Sequence, residues 1–214
     1  MVKLILPLIF FSYLAGCASL SSSRILEDKS QPKSLDNACK ILNEKKGWFS
    51  SLESVRMKYG VKSSVILAMM HQESKFKHDA RPIKSSGSGL FGTPFASSAY
   101  GYAQALELTW AHYKRSTGAR GVHRDSFKDS SMFMGWYISQ SNKITNASKT
   151  DVYSQYLAYH EGQGGFNKKS YLKKPWLVDV AKKVQKRELM YARQLEQCEI
   201  SNPNGQNWFV RNFM

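Results

Sequence analysis

Residues 63–75 read SSVILAMMHQESK, and this pattern predicts a helix with a carboxylate on its apolar face. Ile66, Met69 and Met70 stand at i, i+3 and i+4, and Glu73 completes the stripe at i+7. Burial beside apolar side chains disfavours the ionised form of a carboxyl group and raises its pKa. A general acid that works near neutral pH needs a raised pKa of this kind.

The other interpretation of Glu73 is an ordinary surface pairing. At the edge of the stripe, Glu73 could pair with Lys77 one turn further on. Such a contact is worth only a few tenths of a kcal/mol. The position of Glu73 on the helix does not distinguish these two interpretations. Motifs elsewhere in the chain are needed to choose between them.

Three separated blocks, taken in order, distinguish this sequence. They are HQESKF at 71–76, AYGYAQA at 99–105 and LAYHEG at 157–162. The ordered set resembles the lytic transglycosylase SLT domain of the lysozyme-like superfamily, over about residues 55–200. The resemblance implies a mainly α, lysozyme-like SLT domain with little β structure. Few segments of the chain alternate between apolar and polar residues, which also favours helices over strands.

The resemblance also implies a reaction. Enzymes of this kind cleave the MurNAc-β-1,4-GlcNAc bond of peptidoglycan with a single glutamate, which here is Glu73. The glutamate acts first as acid and then as base, so that the C6 hydroxyl of the sugar closes onto C1 and leaves a 1,6-anhydro-MurNAc end. The 2-acetamido group of the sugar supplies the stabilisation that a second carboxylate gives elsewhere. No cofactor is implied.

The same blocks suggest a set of substrate-binding residues. They are Ser74, Gly101, Tyr102, Gln104, Tyr159 and His160. Gly101 would let the backbone approach the sugar, and Gln104 could donate to and accept from an N-acetyl group. By similarity, Tyr159 would hydrogen-bond the Glu73 carboxylate. Two motifs depart from the commoner pattern: Tyr102-Ala103 replaces Leu-Met in one, and His160 stands where the wider group has Asn in the other.

The N-terminus has the pattern of an export signal. Lys3 precedes an apolar run at 4–13 that is too short to span a bilayer. Leu14-Ala15-Gly16-Cys17 then looks like a bacterial lipobox, with Cys17 as the lipidated first residue of the mature protein. Ala18 follows where Asp would suggest retention in the inner membrane. We therefore expect a lipid anchor in the outer membrane, facing the periplasm; ordinary cleavage beside an incidental Cys is the alternative.

The composition divides the chain into four parts. We expect a signal peptide at 1–16, a lipidated flexible tether at 17–33, the catalytic domain at 34–200 and a C-terminal tail at 201–214. The proposed tether is rich in Ser and charged residues. A chain of 214 residues suffices for one such core.

Two cysteines remain once Cys17 is set aside. Cys39 shares an apolar stripe with Leu42, and Cys198 ends the apolar stripe of a long helix that begins at Pro175. An even count in an oxidising compartment favours a Cys39–Cys198 disulfide, although two buried free thiols would fit the same stripes.

The formal net charge is +15, which favours an anionic partner. Export argues against nucleic acid, and the sequence has no nucleic-acid-binding motif. Anionic lipid and the peptide carboxylates of peptidoglycan remain. His71, His78, His112 and His123 lack the spacing of a metal site, so we predict none.

Three functions fit these patterns. The first is a lytic transglycosylase that trims peptidoglycan, with opening of the wall for an envelope-spanning assembly as an extension of that hypothesis. The second is a hydrolysing muramidase, which needs a second carboxylate facing Glu73, and Glu161 and Asp125 are the candidates. The third is a non-catalytic peptidoglycan-binding lipoprotein.

Overall fold

The structure, a computed structural model, describes residues 27–83, 96–201 and 207–209. This part of the chain forms seven α-helices, one short 3-10 helix and a two-stranded hairpin, so the mainly α prediction is confirmed. The helices are α1 (Ala38–Glu44), α2 (Trp48–Tyr59), α3 (Ser63–Ser74), α4 (Glu107–Thr117), α5 (Phe127–Thr145), α6 (Val152–Asn167) and α7 (Pro175–Glu196), with the 3-10 helix at Ser170–Lys173. The strands are β1 (Glu199–Ser201) and β2 (Asn207–Phe209).

Helix α3 runs through the middle of the core. Every residue from Ser64 to His71 is buried, so α3 is enclosed on all sides and is not a surface helix with one apolar face. It packs against α7, while α5 packs between α2 and α6. This enclosure fixes the position of the last turn of α3, where Glu73 lies.

Local signals in the sequence set the helix ends. Asn37, Ser126 and Asp151 each accept a hydrogen bond from a backbone N–H in the first turn of the helix that follows. Gly60 ends α2 in the left-handed conformation, and Pro175 opens α7 at a position where no N–H partner is needed.

A disulfide closes the domain. Cys39 in α1 is bonded to Cys198 just after α7, with 5.5 Å between their Cα atoms, which is the pairing expected from the sequence. Beside it, the Gln194 side chain accepts a hydrogen bond from the backbone N–H of Ala38 at 2.8 Å. Loop entropy gives a bridge over so long a segment up to about 5 kcal/mol of stabilisation.

The predicted tether at 17–33 is wrong at its C-terminal end, because residues 27–33 lie on the folded domain. Glu27 accepts a hydrogen bond from the first backbone N–H of α5 at 2.6 Å. Asp28 pairs at 2.8 Å with the ammonium group of Lys45, whose side chain is fully buried. A buried ammonium group needs such partners, which the sequence pattern did not reveal.

Most of the predictions about the two termini concern residues that the structure does not describe. The signal peptide at 1–16 and the lipidation site Cys17 lie outside the described residues. In the expected tail, β2 pairs antiparallel with β1 and places Trp208 opposite Ile200. The rest of the tail also lies outside the described residues.

Candidate active site

Glu73 occupies the last turn of α3, just before a strained reversal of the chain. Lys75 and Phe76 both have positive φ angles, +54° and +62°, which residues other than glycine seldom adopt. Phe76 is fully buried and packs against Trp48, with 5.8 Å between ring centroids. Burial of this ring holds the reversal in place and so fixes where α3 ends.

The surroundings of Glu73 raise the pKa of its carboxyl group to about 7, from an ordinary value of 4.5. Burial is the main cause, since the carboxyl group is enclosed by protein although the residue keeps some exposed surface. A hydrogen bond from the Tyr156 hydroxyl and the positive charge of Lys75 both oppose this rise. At neutral pH the group is therefore divided between its acid and carboxylate forms.

Tyr156, and not Tyr159, is the hydrogen-bond donor to Glu73. The Tyr159 hydroxyl instead donates to the backbone carbonyl of Ala103 at 2.5 Å. The Tyr159 side chain still lies near Glu73. Burial raises the pKa of the Tyr159 hydroxyl well above its usual value, and the nearby charge of Glu73 raises it further. The expected hydrogen bond between Tyr159 and Glu73 is thus corrected: Tyr159 joins α6 to the loop before α4.

Position 101 requires glycine for a different reason from the one predicted from the sequence. Its φ is +76°, and a Cβ atom there would lie 2.0 Å from the backbone oxygen of Arg124. Its N–H donates to Ala80 at 3.0 Å. The glycine is required because two backbone segments meet there, whether or not a sugar approaches as well.

Gln104 stabilises the same loop. Its side-chain amide nitrogen donates to the backbone oxygens of Ala80 at 2.8 Å and of Gly101 at 2.9 Å. The side chain also lines the cleft described below. With the amide nitrogen engaged in this way, the carbonyl oxygen is the end of the side chain that can accept from a ligand.

Two of the suggested substrate-binding residues are buried. Tyr102 has no exposed surface and packs edge-on against Trp48 and Phe127. Ser74 is 5% exposed, and its hydroxyl donates to the carbonyl of Met70 in its own helix. Both residues support the domain core; Tyr102 has no surface to offer a glycan and Ser74 very little, so the structure gives this part of the sequence prediction no support.

A cleft of about 240 Å³ lies beside the Tyr159 ring. A second cleft of about 370 Å³ adjoins it and shares the walls formed by Thr109, Tyr137 and Gly162. Gly162 breaks the helical geometry of α6 with a φ of +72°. Together the two clefts form a groove between α4, α5 and the bend of α6. Its walls include Gln104, Thr109, His112, Trp136, Tyr137, Gln140, Tyr159, His160 and Gln163.

His160 and Glu161 stand together at the edge of this groove. His160 is exposed, and its Nδ1 lies 3.0 Å from Glu161 Oε1. The same carboxylate pairs with Lys174 at 2.7 Å and accepts a hydrogen bond from Ser170 at 2.5 Å. These partners, led by Lys174, lower the pKa of Glu161 to about 2.

The other candidate for a second carboxylate, Asp125, is also engaged. It pairs with Lys29 at 2.6 Å, and the pKa of its carboxyl group is lowered although burial opposes this. Both Asp125 and Glu161 are therefore held as ionised structural groups.

Tyr156 is the residue beside Glu73 that sequence reasoning missed. It precedes Tyr159 by three residues, so the two lie on the same side of α6. That spacing made either tyrosine able to reach Glu73. Only the relative position of α3 and α6 selects Tyr156.

Neither a metal site nor a membrane span is found in the part of the chain that the structure describes. No three His, Cys, Asp or Glu side chains there are grouped so as to hold a metal ion. Within the same ranges, no helix combines the length and the apolar character that crossing a bilayer requires.

Comparison with known proteins places the chain in a family. No curated protein matches the sequence. A family model described as a transglycosylase SLT domain matches residues 5–198, which is most of the chain. The mainly α fold of the chain agrees with that match. The chain therefore belongs to the transglycosylase SLT domain family, and membership of this family implies cleavage of glycosidic bonds in peptidoglycan.

Proposed function

We propose that the protein is a lytic transglycosylase that cleaves the MurNAc-β-1,4-GlcNAc bond with Glu73 and leaves 1,6-anhydro-MurNAc ends. The observation that carries the proposal is the pKa of about 7 at a carboxyl group enclosed by protein at the end of α3. A group half protonated at neutral pH can give up a proton and take one back in the same catalytic cycle. The family match supports peptidoglycan as the substrate.

Both proton transfers pass through Glu73 in the proposed mechanism. The protonated carboxyl group gives its proton to the glycosidic oxygen as the bond from that oxygen to C1 breaks. The resulting carboxylate then takes the proton of the C6 hydroxyl as O6 bonds to C1. The glutamate ends as it began, and no water is consumed. Tyr156 orients the carboxylate through its hydrogen bond during the second step.

The state of the other carboxylates favours this mechanism over hydrolysis. A hydrolysing muramidase needs a second carboxylate free to activate water or to attack the sugar. Glu161 and Asp125 are instead tied to Lys174 and Lys29. Neither is available for that role without losing its ion pair.

Mass spectrometry of the products tests the proposal. Purified sacculi are digested with the wild-type protein, with Glu73→Gln, and with the control Glu196→Gln, which changes an exposed glutamate at the end of α7. We expect anhydro-muramoyl products from the wild type and the control and none from Glu73→Gln. Reducing-end products would establish hydrolysis instead. A folded wild-type protein that binds sacculi but releases nothing would favour the non-catalytic alternative.

We also propose that Cys17 carries a lipid that anchors the protein in the outer membrane, facing the periplasm. The apolar run at 4–13 and the lipobox at 14–17 support this. Cell fractionation of a Cys17→Ser variant tests it. The variant should leave the outer-membrane fraction, and unchanged fractionation would contradict a lipid anchor.

A further inference from the structure

A second pocket lies on the side of α3 that faces away from Glu73. It has a volume of about 520 Å³ and is formed by α3 and α7. From α3 it takes Ala68, His71 and Gln72, and Lys75 follows directly after the helix. At about 100° per residue, Ala68 and His71 point nearly opposite to Glu73, so this pocket is separate from the groove beside Tyr159.

The pocket is strongly basic. Lys75, Lys183, Lys186 and Arg187 line it, against one carboxylate, that of Asp36. Asp36 pairs with Arg187 at 2.5 Å. In the described ranges of the chain, no carboxylate lies within ion-pair distance of any of the three lysines. The pocket therefore holds several positive charges without neutralising partners.

These positive charges lie close enough to affect one another. Burial lowers the pKa of Lys75, and the charge of Arg187 lowers it further. Burial, Lys75 and Arg187 together lower the pKa of His71 to about 4, so that His71 is neutral at physiological pH. Like charges held together favour binding of an anion, because an anion relieves their repulsion.

The floor of the pocket is apolar. Ala68 and Val184 are buried beneath it, and Val180 and Met190 form part of its wall. The side-chain amide of Gln72 adds a group that can donate to or accept from a peptide bond. A ligand that fits must combine several negative charges with small apolar groups.

We propose that this pocket binds the carboxylate-bearing peptide stems of peptidoglycan, at a site distinct from the glycan groove. The stems have the required chemistry, since they are short peptides with free carboxylates and methyl side chains. The inference rests on peptidoglycan as the substrate, but it does not depend on the product of cleavage. Binding there would hold a neighbouring stem while the groove acts on a glycan strand.

Calorimetry with a synthetic stem tetrapeptide that carries no sugar tests this proposal. The full-length protein is compared with a Lys183→Gln/Lys186→Gln double variant. We expect the affinity to fall about tenfold, the effect of removing two partly solvated charge contacts. The matched control is Lys182→Gln/Arg193→Gln, which removes the same charge from exposed positions of α7 outside the pocket lining. The control should bind the peptide with wild-type affinity.

Further probes separate this proposal from its rivals. A tetrapeptide with amidated carboxylates should not bind, and Glu73→Gln should bind the free tetrapeptide as the wild type does. Equal weakening by both double variants would mean that overall charge alone attracts the peptide. Binding only to inorganic phosphate or to phosphatidylglycerol vesicles would overturn the proposal in favour of a phosphate site. Cleavage by Glu73→Gln at the wild-type rate, with peptide binding intact, would count against Glu73 as the catalytic acid and leave the pocket untouched.

Discussion

The end of α3 and the middle of α6 each carry a glutamate near the groove, and their surroundings shift the two pKa values in opposite directions. Glu73 is enclosed with one hydrogen-bond donor, and its pKa rises to about 7. Glu161 has three polar partners, and its pKa falls to about 2. Partners thus decide which carboxyl group can exchange a proton at neutral pH: Glu73 can, whereas Glu161 stays ionised.

The largest expected effect is on turnover. Glu73→Gln should lower the release of muropeptides by about 10²–10⁴-fold, the usual contribution of a general acid or base. Glu161→Gln should lower it less than about fivefold, because a partly exposed ion pair is worth at most about 1 kcal/mol. Initial rates on purified sacculi measure both. Similar losses in the two variants would remove the distinction between these glutamates.

Stability should respond to Glu73 in a direction that follows from its raised pKa. Between pH 4.5 and 7 the folded state binds more protons at Glu73 than the unfolded state does, so the free energy of unfolding falls as pH rises. Glu73→Gln removes this group, so the variant does not lose that part of the free energy of unfolding as pH rises. The variant should be more stable than the wild type by about 3 kcal/mol at pH 8 and little different near pH 4. Urea unfolding at the two pH values measures the difference, and Glu196→Gln should show no such change.

The third effect tests which tyrosine serves Glu73. The Tyr156 hydrogen bond lowers the pKa of Glu73, so Tyr156→Phe should raise that pKa further. The alkaline limb of the activity profile should then move upwards by about one pH unit, in keeping with the loss of one hydrogen bond to a charged group. Tyr159→Phe should leave the limb in place, because its hydroxyl donates to Ala103. A shift in Tyr159→Phe alone would restore the assignment made from sequence.

The sequence predicted the features that depend on order and spacing along the chain. The carboxylate on α3 follows from helical periodicity, and the Cys39–Cys198 bridge was favoured by an even cysteine count in an oxidising compartment. The end of α2 at Gly60 and the start of α7 at Pro175 could also be predicted, because helix capping and left-handed turns depend on the local residue.

Features set by contacts between distant segments could not be predicted in the same way. Tyr102 belongs to a motif that suggests a sugar contact, yet tertiary packing buries it edge-on against the stacked rings of Trp48 and Phe127. Burial of Lys45 likewise depends on a chain segment that composition alone presents as a tether. Motif order indicated the candidate site, but only the packing of helices separates residues that face the groove from those that support it.

The smallest expected effect concerns the partners of Glu161. Its pKa is lowered, so it stabilises the fold above pH 4.5, and this contribution is lost as pH falls through about 2. Lys174 is its leading partner but is 41% exposed, so Lys174→Gln should lower the free energy of unfolding at pH 7 by less than about 1 kcal/mol. The neighbouring exposed residue provides the control, and Lys173→Gln should cause no loss. Urea unfolding at pH 7 and pH 3 should show the loss shrinking at the lower pH, as Glu161 becomes protonated in the variant. A loss that persists unchanged at pH 3 would mean that Lys174 acts through packing, and the contrast between Glu161 and Glu73 would then rest on the hydrogen bonds of Ser170 and His160 and on the burial of Glu73.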